Sequence, residues 1–467
     1  MQPATLAGDV ELWAAHIAAH ADLSDARLER RFAEILATFA AKPLDSIPHA
    51  TGSAKAAKGT YRFLQNTRFT AEDLLEPLTS VTAKFCRSIP VVLAVQDTTS
   101  LNFTTLRTTT GLGPIGYSTQ ARGLHLHTTL AVRSDGLPIG LLHQQYWSRP
   151  PEKRRNDHQA LPIEQKESCK WLDGVTGADE ALAHLPAEER PRLLHLMDRE
   201  GDIHDVLEFL ADSRDGGIIR CSSNRRINGP IGYAHDAVTA APLLGPTTFE
   251  VPAQAGSKAR KATLDVRSLG VTITPTRKHA SQSERADVAL TLVEVRERDA
   301  PAGVEPLHWR LWTTEPAATL KEALEVVRLY RLRWMIEEFH LALKSGCKAE
   351  ALGLECFERL EKALVCYSAV AVRILSLRDL ARREPQTPCT ALLSEDAWKA
   401  LWLHVYQRRW QIPEAIPTVS EVVRWVGGLG GHLGRKRDGL PGVRTLWRGW
   451  RDLTILVQGY RLGLRSG

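Results

Sequence analysis

Three carboxylates stand where a chain of this kind does chemistry. Asp97 follows a short Val-rich run, Val91-Val92-Leu93-Ala94-Val95, which reads as a buried strand, and Asp198 follows another at Leu193–Met197. The carboxyl end of a buried strand is where α/β sheets present functional groups, although an aspartate there is commonly a turn former or a helix cap. Asp202 is suited to cap a helix over Ile203–Leu210, which leaves Asp198 for another role. Glu337 belongs to a helix that also carries Tyr330, Arg333 and Lys344. Counted from Tyr330 the offsets are 0, 3, 7 and 14, so the four side chains fall within about 60° of one another. Two readings fit that stripe. One is a surface ion pair between Arg333 and Glu337, in the less favourable i, i+4 order. The other is an acid that completes a metal site while Arg333 and Lys344 grip a phosphodiester beside it, as nuclease chemistry on a nucleic acid needs.

The elements that must position these groups follow from apolar periodicity. Leu124–Val132 and Ile139–Trp147 read as strands turning at Ser134-Asp135-Gly136, and Gly217–Cys221 as a fifth strand, with room for a helix before the fourth. Three neighbouring strands followed by alternating units predict an α/β mixed sheet flanked by helices. Residues 223–315 interrupt that rhythm with the alternating stretches Ala262–Val266, Val288–Val295 and Leu307–Trp312, an inserted and mainly β piece. Thr319 and Glu322 form a capping box, from which one long helix runs from Leu320 to about Ser345 and stops at Gly346. The first 75 residues read as helical. Glu384–Pro388 marks a linker, followed by a helical segment around a glycine-rich loop, Gly427–Gly431. The expected divisions are 1–75, 76–380 and 381–467. In the last, Leu446, Trp450, Leu453, Val457 and Tyr460 form an apolar seam along one helix. It packs either on the chain's own catalytic domain or on a second protomer.

Composition removes several classes. A chain of 467 residues exceeds one compact core, and its 43% apolar and 24% charged content is ordinary for a globular protein. Runs such as Val91–Val95 are too short to span a bilayer, and Asp9 and Glu11 do not suit a signal peptide, so a cytoplasmic protein is expected. Seven scattered cysteines without a C-x-x-C pair fit neither a disulfide framework nor a zinc ribbon. His125 and His127 share a strand face but have no third ligand at zinc spacing, and Gly427–Gly431 lacks the ending of a phosphate-binding loop. The net charge of +6 is modest, yet basic residues cluster at Arg27, Arg30 and Arg31, at Lys55, Lys58 and Arg62, and at Arg435-Lys436-Arg437.

The run Tyr330-Arg331-Leu332-Arg333-Trp334-Met335-Ile336-Glu337-Glu338-Phe339-His340, with Lys344 after it, closely resembles the Y-R-E-K signature of bacterial insertion-sequence transposases, the insertion-sequence-four family. Ala94 to Ser100 is similar to that family's first catalytic strand, and Asp198 to His204 to its second, with Gly201 where alanine is expected. Gly140 to Gln144, Lys58 to Phe63 and Gly439 to Trp450 also match, so the resemblance covers almost the whole chain. It implies an RNase H-like core with a β insertion, an N-terminal domain that reads transposon ends and a C-terminal dimerisation region. It further implies a cut-and-paste DNA transposase whose Asp97, Asp198 and Glu337 hold two Mg²⁺ or Mn²⁺ ions about 3.5–4 Å apart. One site would nick a strand, form a hairpin and join the freed end to target DNA. By the same resemblance, Trp309 and Trp334 flank a base extruded during hairpin formation, and Arg220 contacts the DNA backbone. Arg27, Arg30, Lys55, Lys58 and Arg62 are the candidates for binding the inverted-repeat ends of double-stranded DNA. A homodimer is expected on paired ends, with the terminal seam joining the protomers. Two rivals are a catalytically inactive DNA-binding repressor and a metal-free carboxylate-pair hydrolase acting on sugars. The cationic stripe beside Glu337 argues against the second.

Overall fold

Amphipathic periodicity makes the N-terminal region a cluster of five helices, α1 (Val10–Ala18), α2 (Ala26–Ala41), α3 (Ile47–Thr51), α4 (Ala54–Gln65) and α5 (Ala71–Cys86). Their apolar faces meet around Phe32, Phe39, Phe63 and Leu74, all buried. The computed structural model describes residues 10–116, 120–150, 161–251, 259–275, 286–407, 411–435 and 438–466. Lys436 and Arg437 of the late basic cluster lie outside these.

A mixed sheet follows. Its first strands are β1 (Val91–Asn102), β2 (Gly113–Pro114), β3 (Arg122–Arg133) and β4 (Pro138–Trp147). After helix α6 (Lys170–Leu182) come β5 (Arg192–Met197), α7 (His204–Asp212) and β6 (Gly216–Arg220). β1 pairs antiparallel with β3 and parallel with β5, and β5 pairs parallel with β6. The helix α8 (Ala234–Ala240) and strands β7 (Leu243–Val251), β8 (Arg260–Ile273), β9 (Val288–Glu297) and β10 (His308–Thr313) make up the expected β piece. It is no separate layer: β10 pairs with β6, so the ten strands form one sheet. The α/β mixed-sheet class expected from the sequence is the one observed.

Three local expectations need correction. Asp97 does not end its strand. The polar stretch after Val95 continues as strand to Asn102 because β3 keeps pairing with it, Asp97 opposite Thr128. Its polar side chains also find cross-strand partners, Thr98 with His127 at 2.9 Å and Ser100 with His125 at 3.1 Å. Asp202 caps no helix. Its carboxylate accepts from the Ser222 amide at 2.7 Å and the Arg225 guanidinium at 2.7 Å, holding the loop after β6. Asp198 itself does the capping, accepting from the Glu200 amide at 2.8 Å at the start of a 3₁₀ turn. The long helix is broken as well. The capping box at Thr319 and Glu322 starts α9 (Leu320–Arg331), a turn at Leu332-Arg333 intervenes, and α10 (Trp334–Leu341) runs into a π-helical turn at Ala342–Gly346.

α11 (Phe357–Arg383) is buried on nearly every side from Leu360 to Ala381 and packs against α2, α5 and β4. Its buried residues include the charged Lys362, Arg373, Arg378 and Asp379, so the helix carries no clean amphipathic stripe, only length and burial. Beyond it α12 (Glu395–Val405), α13 (Val419–Leu429) and α14 (Val443–Ser466) close a second core. Gly427 and Gly428 lie inside α13 and not in a loop. The terminal seam turns inward: Leu446, Trp450 and Leu453 pack on Val419, Val423 and Trp398 of the same chain. These three cannot also join protomers without unfolding that core, while Val457 and Tyr460 further along the helix are only partly buried. On the opposite side of α14, Ile455 and Leu462 are 61% and 64% exposed.

Candidate active site

The parallel ladder between β1 and β5 runs from Val91–Arg192 to Val95–Leu196. Asp97 and Asp198 each stand two residues beyond its last pair, so the register alone sets them side by side. α10 packs on β1 and brings Glu337 to the same place. Burial pushes the Asp97 carboxyl up to about 7, and the neighbouring Glu337 and Asp198 add to the shift. Burial also raises Asp198. Asp97 and Glu337 offer hard oxygen donors within 4.8 Å of each other, with Asp198 near enough to act on Asp97, and a divalent cation is what such a set fits.

The cations around them come from the same helices. Arg333 places Nη1 4.0 Å from Asp97 Oδ2 and Nη2 3.3 Å from Glu337 Oε1. The i, i+4 ion pair and the cationic wall are therefore the same group. Lys344, in the π-helical turn, feels both Asp97 and Glu337, and burial lowers its ammonium below the usual lysine range. Tyr330 is raised by burial, and its phenolic oxygen accepts a hydrogen bond from Arg333. It also reaches Arg220, which burial lowers, and which donates to the His308 carbonyl at 3.0 Å. The Arg220 guanidinium lies 5.9 Å from the Trp309 ring, which is tilted against Phe249 at 6.3 Å. Trp334 opens α10 beside Arg333, 61% exposed, its indole donating to Glu338 at 3.3 Å. The structure thus gathers Asp97, Asp198, Glu337, Tyr330, Arg333 and Lys344, with Arg220 and Trp309 adjoining. Arg27 and Arg30 on α2, and Lys55, Lys58 and Arg62 on α4, are all exposed, on elements other than those carrying the acids.

Two neighbours were missed by sequence reasoning. His340, three residues after Glu337 and so on the same helical face, is 7% exposed and directs Nδ1 to within 3.8 Å of Asp97 Oδ2. Burial, then Lys344 and Arg333, hold it down to about 3, a neutral ring. Lys170 at the start of α6 reaches Glu200 at 3.3 Å and its charge acts on Asp198. Nothing in its local sequence marks it, because only the fold brings α6 to this end of the sheet.

Three family models match successive parts of the chain: a transposase DNA-binding domain over residues 10–69, a transposase DDE domain over 209–372 and a Tn5 transposase dimerisation domain over 369–466. The DDE match contains Glu337 and the cationic stripe, while Asp97 and Asp198 precede it. The three together imply DNA as a partner, use of a divalent metal and association into a homodimer. Among the described residues no helix is long and apolar enough to cross a membrane. With helical regions at both ends and the acids meeting on a mixed sheet, the chain belongs to the Tn5-type DDE transposases and is a DNA transposase.

Proposed function

We propose that this transposase works by cut and paste: it nicks transposon ends, closes a hairpin, reopens it and joins the freed 3′ end to target DNA. Asp97, Asp198 and Glu337 are its metal ligands. The observation carrying this reading is the convergence of three acids from β1, the end of β5 and α10, close enough for Glu337 and Asp198 to push Asp97 up. Two Mg²⁺ or Mn²⁺ ions held there would supply an activated attacking oxygen and neutralise the leaving one. The protein's own groups do the rest. Arg333 holds Asp97 and Glu337 in one arrangement and, with Lys344, presents positive charge to the scissile phosphate. Tyr330 and Arg220 line the path from that phosphate to Trp309, where a flipped base can stack, and exposed Trp334 offers a second indole. In this reading residues 1–75 bind the inverted-repeat ends through Arg27, Arg30, Lys55, Lys58 and Arg62, residues 76–380 carry catalysis, and residues 381–467 pair two protomers. With the seam occupied inside the chain, pairing falls to the exposed side of α14 at Ile455, Gly459 and Leu462.

The test is cleavage of end DNA with Mg²⁺ or Mn²⁺ by Asp97→Ala, Asp198→Ala and Glu337→Ala. Each variant is expected to lose nicking while still shifting end DNA in a gel, because the acids act on metal and not on DNA. A variant that nicks at near-normal rate removes its residue from the triad.

A further inference from the structure

Among the described residues, Asp97, Glu337 and His340 are the group whose donor atoms all lie within 4.8 Å of one another. Two donors about 2.1 Å from one ion stand at most about 4.2 Å apart, so only a small closure separates this arrangement from a ligand set. The His340 ring is almost wholly buried, with Nδ1 turned to Asp97. Its opposite nitrogen, Nε2, is buried without a hydrogen-bond partner. With Nε2 carrying the ring proton, Nδ1 keeps its lone pair turned toward the Asp97 carboxylate, and at 3.8 Å the two are too far apart to hydrogen-bond, so a cation between them is what would satisfy both.

We propose that His340 is a nitrogen ligand to the ion shared by Asp97 and Glu337, so that one metal position is a mixed oxygen–nitrogen site. The inference rests on the metal-dependent reading above. Its consequence is selectivity. Mg²⁺ takes oxygen donors, whereas a nitrogen ligand is better accepted along the first-row transition series, of which Mn²⁺ is the weakest member, so this position shifts preference from Mg²⁺ toward transition ions, Mn²⁺ included. Asp198 lies outside the group, which leaves the second ion position an all-oxygen one.

The experiment is pulsed electron paramagnetic resonance on the full chain, bound to pre-cut end DNA and loaded with Mn²⁺, with a parallel sample labelled with ¹⁵N-histidine. The expected result is nitrogen modulation at bound Mn²⁺ that changes from the ¹⁴N to the ¹⁵N pattern on labelling and disappears in His340→Gln. Mn²⁺ affinity in that variant should fall roughly tenfold, with Mg²⁺ affinity, read by competition, changing less than about twofold. Mn²⁺ that binds, is lost in Asp97→Ala, and shows no nitrogen coupling overturns the role of His340 alone. A wild-type chain that binds no Mn²⁺ overturns both this role and the metal-dependent reading. Because labelling needs no substitution, the outcome stands even if His340→Gln fails to fold.

Discussion

Asp97 is kept near neutrality by its surroundings, and that has a measurable sign. Its carboxyl titrates at about 7 in the folded, metal-free chain against an ordinary value of 3.8, chiefly through burial and then through Glu337 and Asp198. The folded state therefore binds this proton more tightly than the unfolded one. Stability from this group is present at low pH, declines as pH rises from about 4 to about 7, and is lost above. Asp97→Asn removes the ionisation, so the metal-free variant should be the more stable by up to about 4 kcal/mol at pH 8, with the gap closing toward pH 4. Urea unfolding at both pH values measures it, and equal stability at pH 8 would mean the acids are not crowded in solution. Trp309 gives a kinetic prediction. Trp309→Ala should nick normally but slow hairpin formation, since stacking a flipped base is worth about 1–3 kcal/mol. If gel-resolved rates of both steps fall together, Trp309 serves only as packing for Phe249. That Arg333, Glu337 and Lys344 meet was legible in the spacing motif that carries them. His340 sat within the same motif without a role, since helical spacing puts it near Glu337 but cannot say that it is buried against Asp97.

Strands and helices were legible where their own residues fix them and misread where a neighbour does. The capping box at Thr319 and Glu322 is a local device and formed as expected. The turn at Leu332-Arg333 is not local: it aims Arg333 between Asp97 and Glu337. Gly346 does end the helical stretch, though not through a left-handed backbone; Lys348 takes that conformation at φ 47°. A Cβ at Gly346 would meet the Trp447 ring at 1.8 Å, so the glycine admits α14 against the turn that carries Lys344. α13 and α14 meet more closely still, with a Cβ at Gly449 only 1.7 Å from the Val426 carbonyl oxygen. Gly449→Ala should therefore prise the two helices apart and cost about 1–3 kcal/mol or more. Thermal unfolding checks this, and an unchanged Tm would show that the helices have room to shift.

For the whole molecule the question is which side of α14 faces a partner. Leu453 is 3% exposed in the chain's own core, so Leu453→Ala should cost about 2–5 kcal/mol in the monomer. Ile455→Asp with Leu462→Asp lies on the exposed side and should leave stability within about 0.5 kcal/mol per site. That variant is expected to bind single ends yet form no paired complex in light scattering or native gels; a normal paired complex would move the interface elsewhere. The sequence by itself determined the mixed-sheet class, the helical ends, the positions of most strands, though not β2 or β7, and the acid-and-cation signature. Periodicity, caps and motif spacing are properties of residues within one or two turns of each other. Only the tertiary structure decided that Asp97 lies mid-strand, that Asp202 holds a loop while Asp198 caps, and that the terminal seam is used internally. It also decided that Lys170 and His340 belong beside the acids. Each of these depends on what packs across from a residue, and an apolar seam or a polar strand end reads the same whatever partner fills it.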